Sequence, residues 1–200
     1  MENTTNRRRT REETIVNDNI INELRDFGYN EYLIKHSILV AKIANKIVQY
    51  LKKNGCIVDE TAVLKGALLH DVGRTIEHSV RHGYLGGEIL RKKGYEEKIC
   101  LIAERHVGGG ISKEESVNLG MPPKDYLPVS LEEKIVCLAD KYVEDNIISS
   151  IEKTLSKLEQ QLGKGNIANK RILEIKREIE GLMQKKMDEL IKEISEEENY

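Results

Sequence analysis

The sequence predicts an all-α protein, and three observations carry that prediction. Apolar residues recur at spacings of three and four along most of the chain, as in Leu33, Val40, Ile43 and Ile47. No stretch alternates apolar and polar residues as a half-buried strand would. Charged residues, mostly Lys and Glu, make up 33% of the 200 residues, which suits long solvated helices. With no Trp and a single Phe, the core has to come from Ile, Leu, Val and Ala.

Residues 1–14 read as a flexible tail carrying Arg7-Arg8-Arg9-Thr10-Arg11. A first helix is expected from Ile15 to Phe27 and a long second one from Glu31 to Lys53, with Gly28 and Gly55 as stops. Asp59 is placed to cap a third helix that ends near His70. His70-Asp71-Val72-Gly73 reads as a break, with Gly73 free to take positive φ. Helices follow from His82 to Lys93, stopped by Gly94, and from Glu96 to His106. Gly83, Gly86 and Gly87 weaken the first of these, so a neighbouring helix or a substrate should approach closely there.

Residues 107–129, with Gly108-Gly109-Gly110 and three prolines, form a long connection. It reads either as a lid carrying Lys113 and Lys124 or as a surface loop packed by Ile111, Leu119 and Met121. Ser112 with Glu115 fits a capping box for a short helix, and Ser130 with Glu133 opens another expected to run through Asp140 to about Ser150. From Ile151 onward two helices are expected, joined at Gly163-Lys164-Gly165, and Glu196-Glu197-Glu198 reads as a frayed, solvated end. The organisation expected is therefore a domain over 15–150 followed by a helical extension over 151–200. The extension's apolar series (Leu155, Leu158, Leu162; Ile172, Ile175, Ile179; Met183, Met187, Leu190, Ile194) exceeds what the domain needs. It suggests a homodimer as well as packing back onto the domain.

A net charge of -2 gives no global field to draw nucleic acid or membrane, and no specific nucleic-acid partner is expected. Three cysteines without paired spacing give no disulfide framework, and Cys100 and Cys137 lie in apolar helical patterns as core residues. A polar start and the absence of an apolar run of ~20 residues lead to a cytoplasmic expectation.

The chemistry lies in polar residues on inward helix faces. His36 sits in the stripe of Leu33 and Val40. His70 shares a face with Val63 and Ala67, His106 with Ile99 and Ile102, and Asp140 with Val136, Val143 and Ile147. A single inward histidine is ordinarily a hydrogen-bonded core residue. Buried carboxylates need a cation or donors, and four such positions plus Asp71 call for a shared partner, which a divalent metal would be.

His36, then His70-Asp71, then Leu138-Ala139-Asp140-Lys141 resembles the H…HD…D signature of the HD superfamily of helical metal-dependent phosphohydrolases, over residues 31–146. The resemblance implies an HD-domain helical bundle. His82 and His106 fall between the pair and Asp140, an order similar to the binuclear branch, H…HD…H…H…D. It implies one metal on His36, His70, Asp71 and Asp140 and a second on His82 and His106, with Asp71 bridging; in a one-metal site one of these two histidines would instead bond substrate. The His82-Gly83-Tyr84-Leu85-Gly86-Gly87 run is similar to HD-family diadenosine tetraphosphate hydrolases. The Gly-Tyr-Pro motif of cyclic-di-nucleotide phosphodiesterases is absent.

The implied activity is hydrolysis of a nucleotide or other small phosphate ester or anhydride by a water acidified on one or two divalent ions. Fe, Mn, Co, Ni or Zn suits mixed His/carboxylate ligands better than Mg. Asp71 and Arg74 are the candidate catalytic residues, with Arg74 and then Lys141 as candidate substrate contacts. Helical offsets of about 100° from Asp140 and His106 make solvent-facing positions the preferred reading for Lys141 and Arg105, with Arg81 of similar status, and His78 fits the surface or the surroundings of the site. The alternative function is a non-catalytic HD-fold module that binds nucleotide or metal and regulates a partner through the carboxy-terminal helices.

Overall fold

The computed structural model describes residues 18–197; the expected tail, its arginines and the first residues of the expected first helix lie outside them. The described chain is helical, with α1 (Asp18–Asp26), α2 (Glu31–Lys53), α3 (Glu60–Leu69), α4 (His82–Lys92), α5 (Glu97–Arg105), α6 (Lys113–Asn118), α7 (Leu131–Asp140), α8 (Ile151–Leu162), α9 (Ile167–Met183) and α10 (Met187–Glu197). A short 3-10 turn, Val72–Thr75, follows α3. No described helix is long and apolar enough to cross a membrane.

Local chemistry explains most boundaries. Asn30, Asp59 and Asn166 accept from the third amide of α2, α3 and α9. Ser112 and Glu115 close a full capping box on α6. Ser130 caps α7, but the Glu133 carboxylate turns to the Val129 amide and to Arg105 instead of completing a box.

The bundle forms around α2, whose Val40, Ile43, Ala44 and Ile47 are fully buried. It packs against α3 and α7 and against the later α9 and α10, while α4 and α5 pair closely and α5 leans on α3 and α7. Cys100 and Cys137 are buried, as their patterns predict. Gly83, Gly86 and Gly87 supply the close approach of α4 to α5: a Cβ on Gly83 would lie 2.7 Å from Val107 Cγ2, and one on Gly87 3.0 Å from Glu104 Cβ.

Several expectations are corrected. The seventh helix stops at Asp140, and Val143–Glu144 and Ile147–Ile148 form a two-stranded antiparallel hairpin. Asp145 and Asn146 make its turn at φ of 54° and 59°, residue types that tolerate this region, and the flanking Val and Ile prefer strand. Val143 and Ile147 therefore share no helix face with Asp140, and Ile147 is exposed.

The extension has three helices, because Gln184 adopts a left-handed conformation and ends α9. Its apolar seam faces inward: Ile172, Ile175, Ile179, Met183, Met187, Leu190 and Ile194 are buried in the core they share with α2. The α9 and α10 part of the seam that suggested a homodimer is thus covered by the protein's own bundle, whereas Leu162 of α8 is exposed. Glu197 bonds Lys46 and Glu193 bonds the Tyr50 hydroxyl, so this end of the chain is tied to α2.

Glu180 joins α9 to α10. Its carboxylate accepts from the Met187 amide at 2.9 Å, from Lys176 at 2.6 Å and from Lys186 at 3.2 Å. Burial opposes its charge, but the lysines and the amide outweigh that and hold its pKa below the ordinary value. A carboxylate depressed in this way stabilises the fold above its unfolded pKa of ~4.3, and the contribution is lost as pH falls through the folded value. Glu180→Gln is expected to cost about 1–2 kcal/mol at pH 7 in urea unfolding. Its difference from the parent should shrink steadily below pH 4, and a constant difference would contradict the ionic origin.

Candidate metal centre

The six candidate ligands come together from five places in the fold. His36 projects from the second turn of α2. His70 and Asp71 terminate α3, His82 starts α4, His106 follows the last turn of α5, and Asp140 ends α7. Placing ligands at helix ends lets four helices point into one spot without their backbones colliding.

Two groups of atoms share Asp71. On one side His36 Nε2 lies 3.0 Å from Asp140 Oδ1 and 3.3 Å from His70 Nε2. Asp71 Oδ2 is 3.7 Å from each of these imidazole nitrogens. On the other side His82 Nε2 and His106 Nε2 are 3.1 Å apart, and Asp71 Oδ1 lies 3.2 and 3.4 Å from them. The two carboxylate oxygens thus face different imidazole pairs.

Backbone carbonyls orient the rings. His70, His82 and His106 each donate Nδ1–H to the carbonyl three residues back, on Ala67, Ser79 and Ala103, at 2.7, 2.6 and 2.7 Å. A neutral imidazole bonded in this way presents a bare Nε2 lone pair. The Nε2 atoms of His82 and His106, 3.1 Å apart, and the carboxylate oxygen beside them all point their lone pairs into one spot when the rings are in this tautomer. Asp71 Oδ1 is buried and has no hydrogen-bond partner. Such a grouping is costly unless a cation fills it, so the residues present fit divalent metal. Two subsets, His36-His70-Asp140 and His70-Asp71-His106, each bring their ligand atoms within 4.8 Å of one another.

The electrostatics prepare the ligands. Burial, reinforced by His70 and His82, pushes His106 down to about 3, so it is neutral. Burial opposes the charge of Asp71, but His70, His106 and His82 outweigh it and hold this carboxyl well below the usual range. Asp140 is likewise held low against burial, by Lys141 first and then His36 and His70. His70 is raised despite burial because Asp71 and Asp140 attract a proton there. The same negative field favours a divalent cation.

A cleft of about 320 Å³ opens on the first group, lined among others by His36, Asp71, Arg74, His78, Gly108, Asp140 and Lys141. His82 and His106 are buried and do not line it. Arg74 donates Nε–H to Asp71 Oδ2 at 2.8 Å and is half-buried in the cleft wall. His78 is exposed and lines the same wall.

Lys141 and Arg105 depart from the solvent-facing reading. Lys141 is buried, with its ammonium 2.6 Å from Asp140 Oδ2 and 3.1 Å from the His106 carbonyl oxygen. The chain turns out of helix there, so the 100° offset from Asp140 no longer applies. Arg105 pairs with the buried Glu133 at 3.0 Å, whereas Arg81 is exposed.

Of the 107–129 connection only Gly108 reaches the cleft. Ile111, Met121 and Tyr126 bury themselves in a second small core while Leu119 is exposed, and Lys124 pairs with Glu104. This is a packed surface loop and not a lid. Sequence reasoning missed five further residues that line the cleft: Tyr32, Glu144, Thr154, Lys157 and Leu158. Tyr32 lies one helical turn before His36, a usable signal. The other four depend on a hairpin that returns the chain to the cleft.

Known proteins resemble this chain in sequence and fold. The family model for the HD domain matches residues 33–145, which include all six ligands. An uncharacterized protein of Methanocaldococcus jannaschii is 44% identical over 154 residues, covering 77% of this chain and 91% of that one. The tRNA (cytidine(56)-2'-O)-methyltransferase of Picrophilus torridus is 35% identical over 174 residues, 86% of this chain, which spans only 48% of that enzyme's length. Among solved structures, the HD domain of the L. monocytogenes phosphodiesterase PgpH in complex with cyclic-di-AMP superposes with a TM-score of 0.52 at 17% identity. That match covers 88% of this chain and 95% of that one, a likeness of fold. With more than half of its length matched and the histidine and aspartate framework assembled as described, the chain belongs to the HD domain family.

Proposed function

We propose that the protein is a metal-dependent phosphohydrolase acting on a nucleotide or another small phosphate ester or anhydride. The observation that carries this reading is Asp71, whose two oxygens face separate imidazole pairs while Oδ1 lacks a hydrogen-bond donor. His36, His70, Asp71 and Asp140 would hold one divalent ion, and Asp71, His82 and His106 a second. Such ions supply a water acidified enough to act as nucleophile near neutral pH, and positive charge against the phosphoryl oxygens.

The remaining work belongs to the chain's own groups. The Ala67, Ser79 and Ala103 carbonyls keep three Nε2 atoms aimed inward. Lys141, already engaged by Asp140 and the His106 carbonyl, acts in positioning Asp140 and not as a substrate contact. Arg74, anchored through Nε and lining the cleft, would use its other guanidinium nitrogens on a bound phosphate, offsetting charge that grows as the bond to phosphorus breaks. The nitrogen-rich ligand set favours Mn, Fe, Co, Ni or Zn over Mg. Cyclic-di-AMP in the PgpH structure supports a nucleotide among possible substrates. A purely regulatory role loses part of its support, because the apolar seam of α9 and α10 that would meet a partner is buried in the protein's own core.

The test is metal analysis of the purified protein together with hydrolysis assays of the Mn- and Fe-loaded forms. Release of phosphate or nucleoside from a panel of nucleotides and aryl phosphates is expected, and a metal-loaded protein that releases nothing would overturn the reading. His106→Ala is expected to retain the helical circular dichroism of the parent while losing one of two bound metals. Unchanged stoichiometry would count against two ions.

A further inference from the structure

The cleft has two walls of different origin. The ligand wall comes from α2, α3 and α7, all inside the matched family segment. The facing wall comes from α8, which lies beyond it. Thr154, Lys157 and Leu158 occupy one face of α8 at spacings of three and four, and all three line the cleft. Ile151, a turn earlier, is buried and fixes the helix to the core.

The register of α8 against the ligands is set by a bond. The Thr154 hydroxyl donates to the carbonyl of Lys141, the residue after Asp140, at 2.9 Å. Lys157 reaches across to Glu144 on the hairpin, so a donor and an acceptor stand side by side at the cleft. Tyr32, on α2 and 54% exposed, completes the rim. An exposed aromatic ring, an aliphatic side chain and a paired ammonium and carboxylate are poor partners for phosphate. They suit a flat heteroaromatic ring that stacks on one face and hydrogen-bonds at its edge.

We infer that α8, with Tyr32, forms the subsite for the organic part of the substrate, and that this part is the base of a single nucleotide. On this arrangement Tyr32 and Leu158 take the faces of the base and Lys157 with Glu144 its edge, while the phosphate lies toward Arg74. At about 320 Å³ the cleft sits at the small end of the ~300–1,000 Å³ range of ligand pockets, which favours one nucleotide over a dinucleotide. Two of the four subsite residues, Lys157 and Leu158, thus lie on a helix beyond the family segment, next to candidate metal ligands inside it. The inference rests on the phosphohydrolase reading only for where the phosphate lies.

The experiment is titration calorimetry of the Mn-loaded protein with AMP, GMP, CMP, UMP and inorganic phosphate, for the parent, Tyr32→Ala and Lys157→Ala. Both side chains are exposed, so the variants should fold, which circular dichroism checks. The parent is expected to bind at least one nucleotide about tenfold or more tighter than phosphate, with each substitution lowering that ratio about tenfold. Equal affinity of the parent for nucleotide and phosphate, or a ratio unmoved by both substitutions, would overturn the inference. The two readings fail separately. Base-dependent binding without hydrolysis sinks the enzyme and keeps the subsite, whereas hydrolysis of aryl phosphates with no base preference does the reverse.

Discussion

Asp71→Ala is expected to empty both metal positions at once. The carboxylate meets His36 and His70 through one oxygen and His82 and His106 through the other, so its loss removes an anionic ligand from each group. Losing even an outer hydrogen-bond partner of a metal ligand typically costs 10–100-fold in affinity. Removing the bridging anion itself should cost more than about 100-fold, with hydrolysis falling below detection. Asp140→Ala makes the control, since Asp140 approaches only His36 and His70 among the histidines. It should lower occupancy of the first position and spare the one between His82 and His106. Metal content after desalting reads both variants. A full complement on Asp71→Ala would refute the bridging arrangement, and helical circular dichroism would show that neither variant has unfolded.

Gly73→Ala is expected to damage the fold more than any surface change. A Cβ at Gly73 would fall 1.9 Å from the His82 carbonyl oxygen and 2.8 Å from the Gly86 amide nitrogen. Both neighbours are backbone, so no side-chain rotation relieves the clash. The 3-10 turn and α4 would have to separate, carrying His82 away from Asp71. Overpacking of this kind costs about 3 kcal/mol or more, which for a chain of this size lowers Tm by roughly 6–12 °C. Gly94→Ala provides the contrast: its φ of +80° strains an alanine, but nothing lies within 4 Å. That change should cost only ~1–2 kcal/mol. Thermal unfolding of the two variants distinguishes crowding from backbone strain, and equal losses would show that the contact at Gly73 is relieved cheaply.

The same glycine shows how much could be read beforehand. Its importance was visible in the His70-Asp71-Val72-Gly73 run, yet its reason was not. Positive φ is a local property that a sequence can suggest, whereas Gly73 is required by the proximity of α4, a tertiary contact. The helices over 31–106 were legible from their period and glycine stops, with Asp59 bonding the amide its position implies; the Asn30 cap of α2 emerged only in the structure. Of the six candidate ligands, His36, His70, His106 and Asp140 were legible because polar residues in apolar stripes are conspicuous, whereas Asp71 came from its place beside His70, and His82 from the family resemblance. The hairpin was not, since Val143 and Ile147 are four apart and fit a helix equally well. Only the paired positive φ at Asp145 and Asn146 decides against it. The second joint of the extension, at Gln184, carried no glycine to announce it. Lys141 could not be placed inward until the chain was known to leave the helix at that residue.

The packing of α9 and α10 against α2 bears on how this unit can be inherited. Gly109 sits where a Cβ would meet the backbone of α9 at 2.9 Å, and Arg171 of α9 holds the Gly110 carbonyl, three and four residues beyond His106. A gene fragment ending where the family segment ends would therefore encode a bundle with a bared flank and an unbraced ligand loop. Any longer protein that has acquired this module must have taken the trailing helices along, or evolved a substitute surface to stand in their place.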